Sequence, residues 1–188
     1  FTVTLSNPSA GATLGTSSAT GTIRNDDALL SIATAVADQA EGQSGSTAFT
    51  FTVTRSGDTS GSSSAAWAVM GTGTNAAVAS DFTGGSLPSG MVTFAAGETS
   101  KTIAVNVEGD ASVEPDEEFT VTLSDSSNGT TLGTASASGT IRNDDASLSI
   151  AALSADQAEG NSGNRSFTFT VSRSGFEAST VAATWEVI

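Results

Sequence analysis

Apolar and polar residues take turns along much of the chain. Phe49, Phe51 and Val53 alternate with Thr50, Thr52 and Thr54. Ile103, Val105 and Val107 alternate with Thr102, Ala104 and Asn106, and Phe119, Val121 and Leu123 with Thr120, Thr122 and Ser124. Successive side chains of a strand point to opposite faces, so this period of two predicts strands with one dry face and one wet face. The same reading predicts strands over 29–36, 65–70, 92–94 and 135–142. Turn-forming residues separate them at Ser56-Gly57-Asp58, Gly84-Gly85, Pro88-Ser89-Gly90 and Ala96-Gly97-Glu98. No segment carries helix signals.

The pattern repeats on a larger scale. FTVTLS at Phe1 returns at Phe119, TIRNDDA at Thr22 returns at Thr140, and ADQAEG at Ala37 returns at Ala155. FTFTVTRSG at Phe49 returns as FTFTVSRSG at Phe167, and Trp67 returns at Trp185. Every offset is 118, and 45 of the 70 comparable positions are identical without a gap. A period of that length implies repeated whole domains and not a solenoid of short units. Residues 28–145 are expected to form one complete repeat. Residues 1–27 read as the C-terminal part of a preceding repeat and 146–188 as the N-terminal part of a following one. The two partial ends lack the counterpart of Gly71 to Glu118, so together they cannot complete a domain.

About seven strands in 118 residues predict an all-β fold, a tandem of immunoglobulin-like antiparallel β-sandwiches. The chain has no cysteine, so burial must hold the two sheets together where other sandwiches use a disulfide. Trp67 is expected to be a core residue of a central strand in preference to an exposed platform for a sugar.

Composition narrows the chemistry. Six Lys and Arg against 20 Asp and Glu give a net charge of −14, a surface that repels nucleic acid and anionic membranes. No apolar run approaches the ~20 residues of a membrane helix. With no histidine, the commonest general base and the commonest transition-metal ligand are missing. Loops of the EF-hand, GGxGxD, GxSxG and Walker types are absent. No enzyme is expected. The pair Glu114 and Glu117 has the makings of a glycosidase dyad, but no aromatic-lined cleft is predicted around it.

The acidic residues are concentrated. Between Glu108 and Glu118, six of eleven residues are Asp or Glu. Such crowding costs free energy unless a cation offsets it. Glu41, Asp81 and the pair Asp144-Asp145 sit at further strand ends. Glu117 shares the inward phase of Phe119, Val121 and Leu123, and a carboxylate facing a core end is expensive when unpaired. No Lys or Arg lies nearby in sequence. Oxygen ligands on loops suit Ca²⁺ better than Mg²⁺ or zinc; the competing reading is a solvated acidic hairpin.

The order AEG, SDF, AAGET, GDASVEPDEEF and GTIRNDD resembles the Calx-β domain over the whole of 28–145 and both partial ends. The resemblance implies an immunoglobulin-like sandwich that binds Ca²⁺ at one end. Carried onto this sequence, it implies Glu41, Asp81, Asp110, Glu114, Glu117, Asp144 and Asp145 as metal ligands. Asn143 and Gly109 stand where the resemblance expects further Asp, so fewer ions, more weakly held, are expected. Glu98 is expected to be a turn residue, and Arg55 and Arg142 to make structural ion pairs.

Three functions compete. Tandem calcium-binding sandwiches would make a calcium-stiffened stalk or fibre of a long extracellular or cell-surface protein, serving adhesion or a matrix. The array would otherwise be the polymer itself, with identical chains as partners in a filament, or a calcium sensor. Near-identity of adjacent repeats favours the first two. A glycan-binding module finds little support in a chain without Tyr. Neighbouring repeats are the expected partners, with no nucleic acid and no membrane insertion.

Overall fold

The computed structural model describes residues 1–178 and 180–188. A leading hairpin pairs β1 (Thr2–Thr4) with β2 (Ser18–Thr20). There follow β3 (Ala28–Val36), β4 (Asp38–Ala40), β5 (Gly45–Gly57) and β6 (Ser63–Thr72). After a single 3₁₀ turn at Ala79–Asp81 come β7 (Ser89–Phe94), β8 (Ser100–Gly109), β9 (Glu117–Ser124), β10 (Thr130–Leu132) and β11 (Ser136–Arg142). A trailing hairpin pairs β12 (Ala146–Ser154) with β13 (Thr168–Gly175).

Strands β3 to β11 build two facing sheets, ordered β10-β3-β5-β8 and β4-β11-β9-β6-β7. The strands expected from alternation are present, each within two or three residues of its expected ends at β3, β6, β7 and β11. Two features differ from the expectation. The first strand is split at Ala37, which is buried. Its first part, β3, pairs with β5, and its second part, β4, crosses to the other sheet and pairs with β11. A ladder irregularity between Thr34 and Val36 provides the bend. The sandwich is also not wholly antiparallel. The short pairs β10–β3 and β4–β11 run parallel: β10 closes one sheet beside β3, and β4 closes the other beside β11.

Between the sheets lie the inward phases predicted by alternation: Leu30 and Ile32, Phe49, Phe51 and Val53, Val105 and Val107, and Phe119, Val121 and Leu123. The Phe119 ring sits at the centre, 5.5–5.9 Å from the rings of Phe49, Phe51 and Phe82 in tilted or edge-on contacts. Such pairs add about 0.5–1.5 kcal/mol beyond the area they bury. Trp67 is only half-buried and packs against the margin of this core, over Gly90 of β7. It is a lid on the core's edge, because β7 is the last strand of its sheet and leaves one side of the indole open to water.

Candidate metal centre

One end of the sandwich gathers carboxylates from five segments, and strand register brings them there. The parallel pairing of β4 with β11 sets Ala40 beside Arg142. The Glu41 N–H donates to the Arg142 carbonyl at 3.4 Å. Glu41 thereby meets Asp144 and Asp145, over 100 positions away in the chain. These three offer carboxylate oxygens that all lie within 4.8 Å of one another. On the other side, Glu117 opens β9 opposite Ile141. Phe82, buried and bridged to Val107, anchors the turn that carries Asp81. Asp81, Glu114 and Glu117 form a second trio with the same spread.

Six of the seven expected residues therefore fall into two trios. Asp110 joins neither; its carboxylate accepts the Ser112 N–H at 2.6 Å. Its charge nevertheless acts on Glu41, Glu114 and Asp145, so it stands at the same end.

The electrostatics are those of carboxylates without enough compensation. Glu41 and Asp145 are 4 and 2 % exposed. Loss of water, and then the charges of Asp110, Glu114, Asp145 and Asp144, push Glu41 up to about 7. Glu117 rises to about 8, through loss of water first, then a hydrogen bond shared with Asp81 and the charges around it. Glu114 and Asp145 are raised as well, each mainly by desolvation. Asp145 Oδ2 is buried and has no hydrogen-bond partner. Among the described residues, the ion pairs join Lys101 to Glu98 and Arg142 to Asp38 and Asp116, none to either trio.

This donor set fits a hard divalent cation. Ca²⁺ takes oxygens at about 2.3–2.6 Å, so two ligands on opposite sides of one ion lie about 5 Å apart. The 4.8 Å spread of each trio falls inside such a sphere. Backbone carbonyls and water would be needed to fill the remaining positions.

Three residues have functions that alternation does not reveal. Asp116 binds the Arg142 guanidinium at 3.0 Å and accepts the Asn143 N–H at 3.1 Å, bracing the acidic segment against β11. Asn143 uses its amide on both sides: Oδ1 accepts the Glu114 N–H and Nδ2 donates to the Asp145 carbonyl, both at 3.1 Å. Gly109 meets the Gly42 carbonyl so closely that a Cβ would clash with it. The missing carboxylate at 109 is thus a packing requirement. The signal available in the sequence for Asn143 and Gly109 was their departure from the acidic pattern.

Glu98 is the expected turn residue, its carboxylate accepting the Ala95 N–H at 2.7 Å and pairing with Lys101. Arg142 makes its expected ion pairs. Arg55 instead lies buried and donates to the Ala95 and Asp58 carbonyls. Its Nε is buried without a hydrogen-bond partner. Hydrogen bonds from Ser60, and after them the Arg55 charge, hold the Asp58 carboxyl below the usual carboxylate range.

Comparison with known proteins gives the family and the fold. The family model of the Calx-beta domain matches residues 32–146. The solved structure of an apo-form Calx CBD1 domain superposes with a TM-score of 0.53 at 23 % identity, covering 63 % of this chain and 99 % of that one. CBD12 from CALX1.2 gives the same score and identity over 62 % of this chain and 46 % of the other, so the chain spans about half of that two-domain protein's length. At such identity the superpositions establish the fold. No curated protein matches the chain in sequence.

Proposed function

The chain belongs to the Calx-beta domain family, and on that footing we propose that residues 28–145 form a calcium-binding structural repeat of a longer array of like domains. The observation that carries the reading is Asp145, a buried carboxylate whose Oδ2 has no partner, set beside the equally buried Glu41. A buried charge without compensation costs several kcal/mol. Among the described residues no ion pair brings an ammonium or guanidinium to either trio, and a cation from solution removes the cost. Glu41, Asp144 and Asp145 would hold one ion. Asp81, Glu114 and Glu117 would hold a second, with Asp110 contributing charge or a bridging ligand at the rim. The bound ion neutralises repulsion and ties five segments together; no catalytic step is assigned to the site.

The array would be a stalk or fibre outside the cell, stiffened by the metal. No linker separates Asp145 from β12, which begins at Ala146, so an ion fixing Asp144 and Asp145 acts at the very start of the next hairpin. No helix of the described residues is long and apolar enough to cross a membrane. The outer edge of β8, a strand of ten residues, is paired only where Phe82 and Thr83 meet Val107 and Asn106, and the remainder of that edge supports a second reading, a filament in which identical chains add strands side by side.

Isothermal calorimetry of the chain with Ca²⁺ tests the binding. Heat of uptake that Glu117→Gln or Asp145→Asn weakens is expected, and no heat and no shift in melting temperature at millimolar Ca²⁺ would overturn it. Small-angle scattering of three consecutive repeats tests the stalk. Chelation is expected to shorten or broaden the maximum dimension while β-sheet circular dichroism persists.

A further inference from the structure

The residue that ends the acidic run is shared between two units of the chain. The side chain of Asp145 is buried in the site just described. Its carbonyl oxygen lies outside that site and accepts the Phe176 N–H at 2.7 Å, extending the β12–β13 ladder by one rung beyond Ala146 and Gly175. The same oxygen receives the Asn143 Nδ2 at 3.1 Å. Gly175, at φ +88°, lies under this oxygen and against the Val113 side chain of the acidic segment, and a Cβ there would clash with both.

The arrangement occurs twice. At the start of the sandwich, the Asp27 carbonyl accepts the Asp58 N–H at 2.9 Å and the Asn25 Nδ2 at 3.0 Å. Gly57, at φ +80°, lies under it in the same way. Asn25, Asp27 and Gly57 precede Asn143, Asp145 and Gly175 by 118 residues. The first instance has no assembled trio around it, since Asp27 is exposed. The geometry therefore forms without the acidic site.

We propose that this is an inter-repeat latch, in which Asn25 and Asn143 are positioning residues that hold the last carbonyl of one repeat in the opening ladder of the next. The proposal rests on the tandem reading above and not on calcium. It accounts for asparagine where an acidic residue would otherwise add a ligand. An aspartate at 143 retains an acceptor for the Glu114 N–H but presents a carboxylate oxygen to the Asp145 carbonyl, and two acceptors at that distance repel. At each junction one ligand charge is exchanged for a fixed junction. Through its Oδ1 bond to Glu114, Asn143 also ties the latch to the acidic segment, so a metal that orders Glu114 would steady the latch in turn.

Amide hydrogen exchange followed by NMR on the full chain, in chelator, tests it. In the wild type the Phe176 and Asp58 N–H groups are expected to be protected. Asn143→Asp is expected to speed exchange at Phe176 about tenfold or more and to leave the buried ladder amides of Phe51 and Val121 unchanged. Asn25→Asp is expected to do the same at Asp58, away from any assembled acidic trio. Rescue by Asn143→Gln, which keeps an amide donor, is expected to be partial. Unchanged exchange at Phe176 and Asp58 in both aspartate variants would overturn the latch, whatever calorimetry reports for Ca²⁺. Acceleration in both, with no calcium heat, would leave the latch standing and remove the metal.

Discussion

The hairpins β3–β5 and β12–β13 share a sequence and a register, yet differ in burial. Ala28 pairs with Gly57 as Ala146 pairs with Gly175, and Ile32 faces Val53 as Ile150 faces Val171. In the first hairpin Ile32, Phe49, Phe51 and Val53 are buried. In the second, Ile150, Phe167, Phe169 and Val171 are 49–64 % exposed. The acidic residues follow suit, with Glu41 and Asp145 buried and their counterparts Glu159 and Asp27 exposed. Local pattern is sufficient for the ladder and its turn. The dry core and the crowded carboxylates arise only where β6, β7, β9 and β11 supply the opposing sheet, and the partial ends have no counterpart of residues 71–118, which carry β7, β8, Asp81, Asp110, Glu114 and Glu117.

The largest test of this contrast is a core deletion. Phe51→Ala should destabilise the sandwich by about 3–5 kcal/mol, the usual range for a buried phenylalanine. Phe169→Ala, 118 residues later, should cost under about 1 kcal/mol. Urea unfolding monitored by Trp fluorescence and circular dichroism compares them. Equal costs would mean that the trailing hairpin has acquired a covering partner.

Calcium should divide the two regions next. An ion that binds only the folded sandwich stabilises it by about 2.7 kcal/mol at a hundredfold excess over its dissociation constant. Asp145→Asn is expected to abolish most of that gain in a thermal melt, and Asp27→Asn to retain it.

The metal-free sandwich should also answer to pH with a sign opposite to that of salt-bridged carboxylates. Glu41 and Glu117 are raised to about 7 and about 8 from an ordinary 4.5. The folded state then binds protons more tightly than the unfolded chain. The resulting stabilisation is complete below about pH 4.5 and is lost as pH climbs through 7 and 8. In chelator, the melting temperature is therefore expected to be higher at pH 5.5 than at pH 9. Glu117→Gln should flatten the profile. Saturating Ca²⁺ should reverse it, because the ligands must be deprotonated. A melting temperature that rises with pH in chelator would contradict the crowding described here.

The smallest effect belongs to the turn that holds no site. Lys101→Ala removes a half-exposed ion pair with Glu98 and is expected to cost under about 1 kcal/mol by denaturant unfolding.

The sequence by itself determined the strands, their inward phases, the 118-residue period and the end of the sandwich to which the acidic residues belong. These depend on alternation over a few neighbours, and a strand of period two cannot turn Phe119, Val121 and Leu123 inward without also turning Glu117 inward. Tertiary structure decided the rest. It split the first strand at Ala37, because β3 pairs within one sheet while β4 forms the edge of the other. It sorted six carboxylates into two trios, since the register of β4 on β11 brings Glu41 to Asp144 and Asp145 while the bridge from Phe82 to Val107 delivers Asp81 to Glu117. It left Trp67 half-covered beside the edge strand, excluded a side chain at 109 where Gly42 passes, and employed Asn143 as an amide. Each of these outcomes depends on which backbone atoms of distant segments come within a few ångströms of one another, and such distances are set by how two sheets pack, a quantity that no run of neighbouring residues contains.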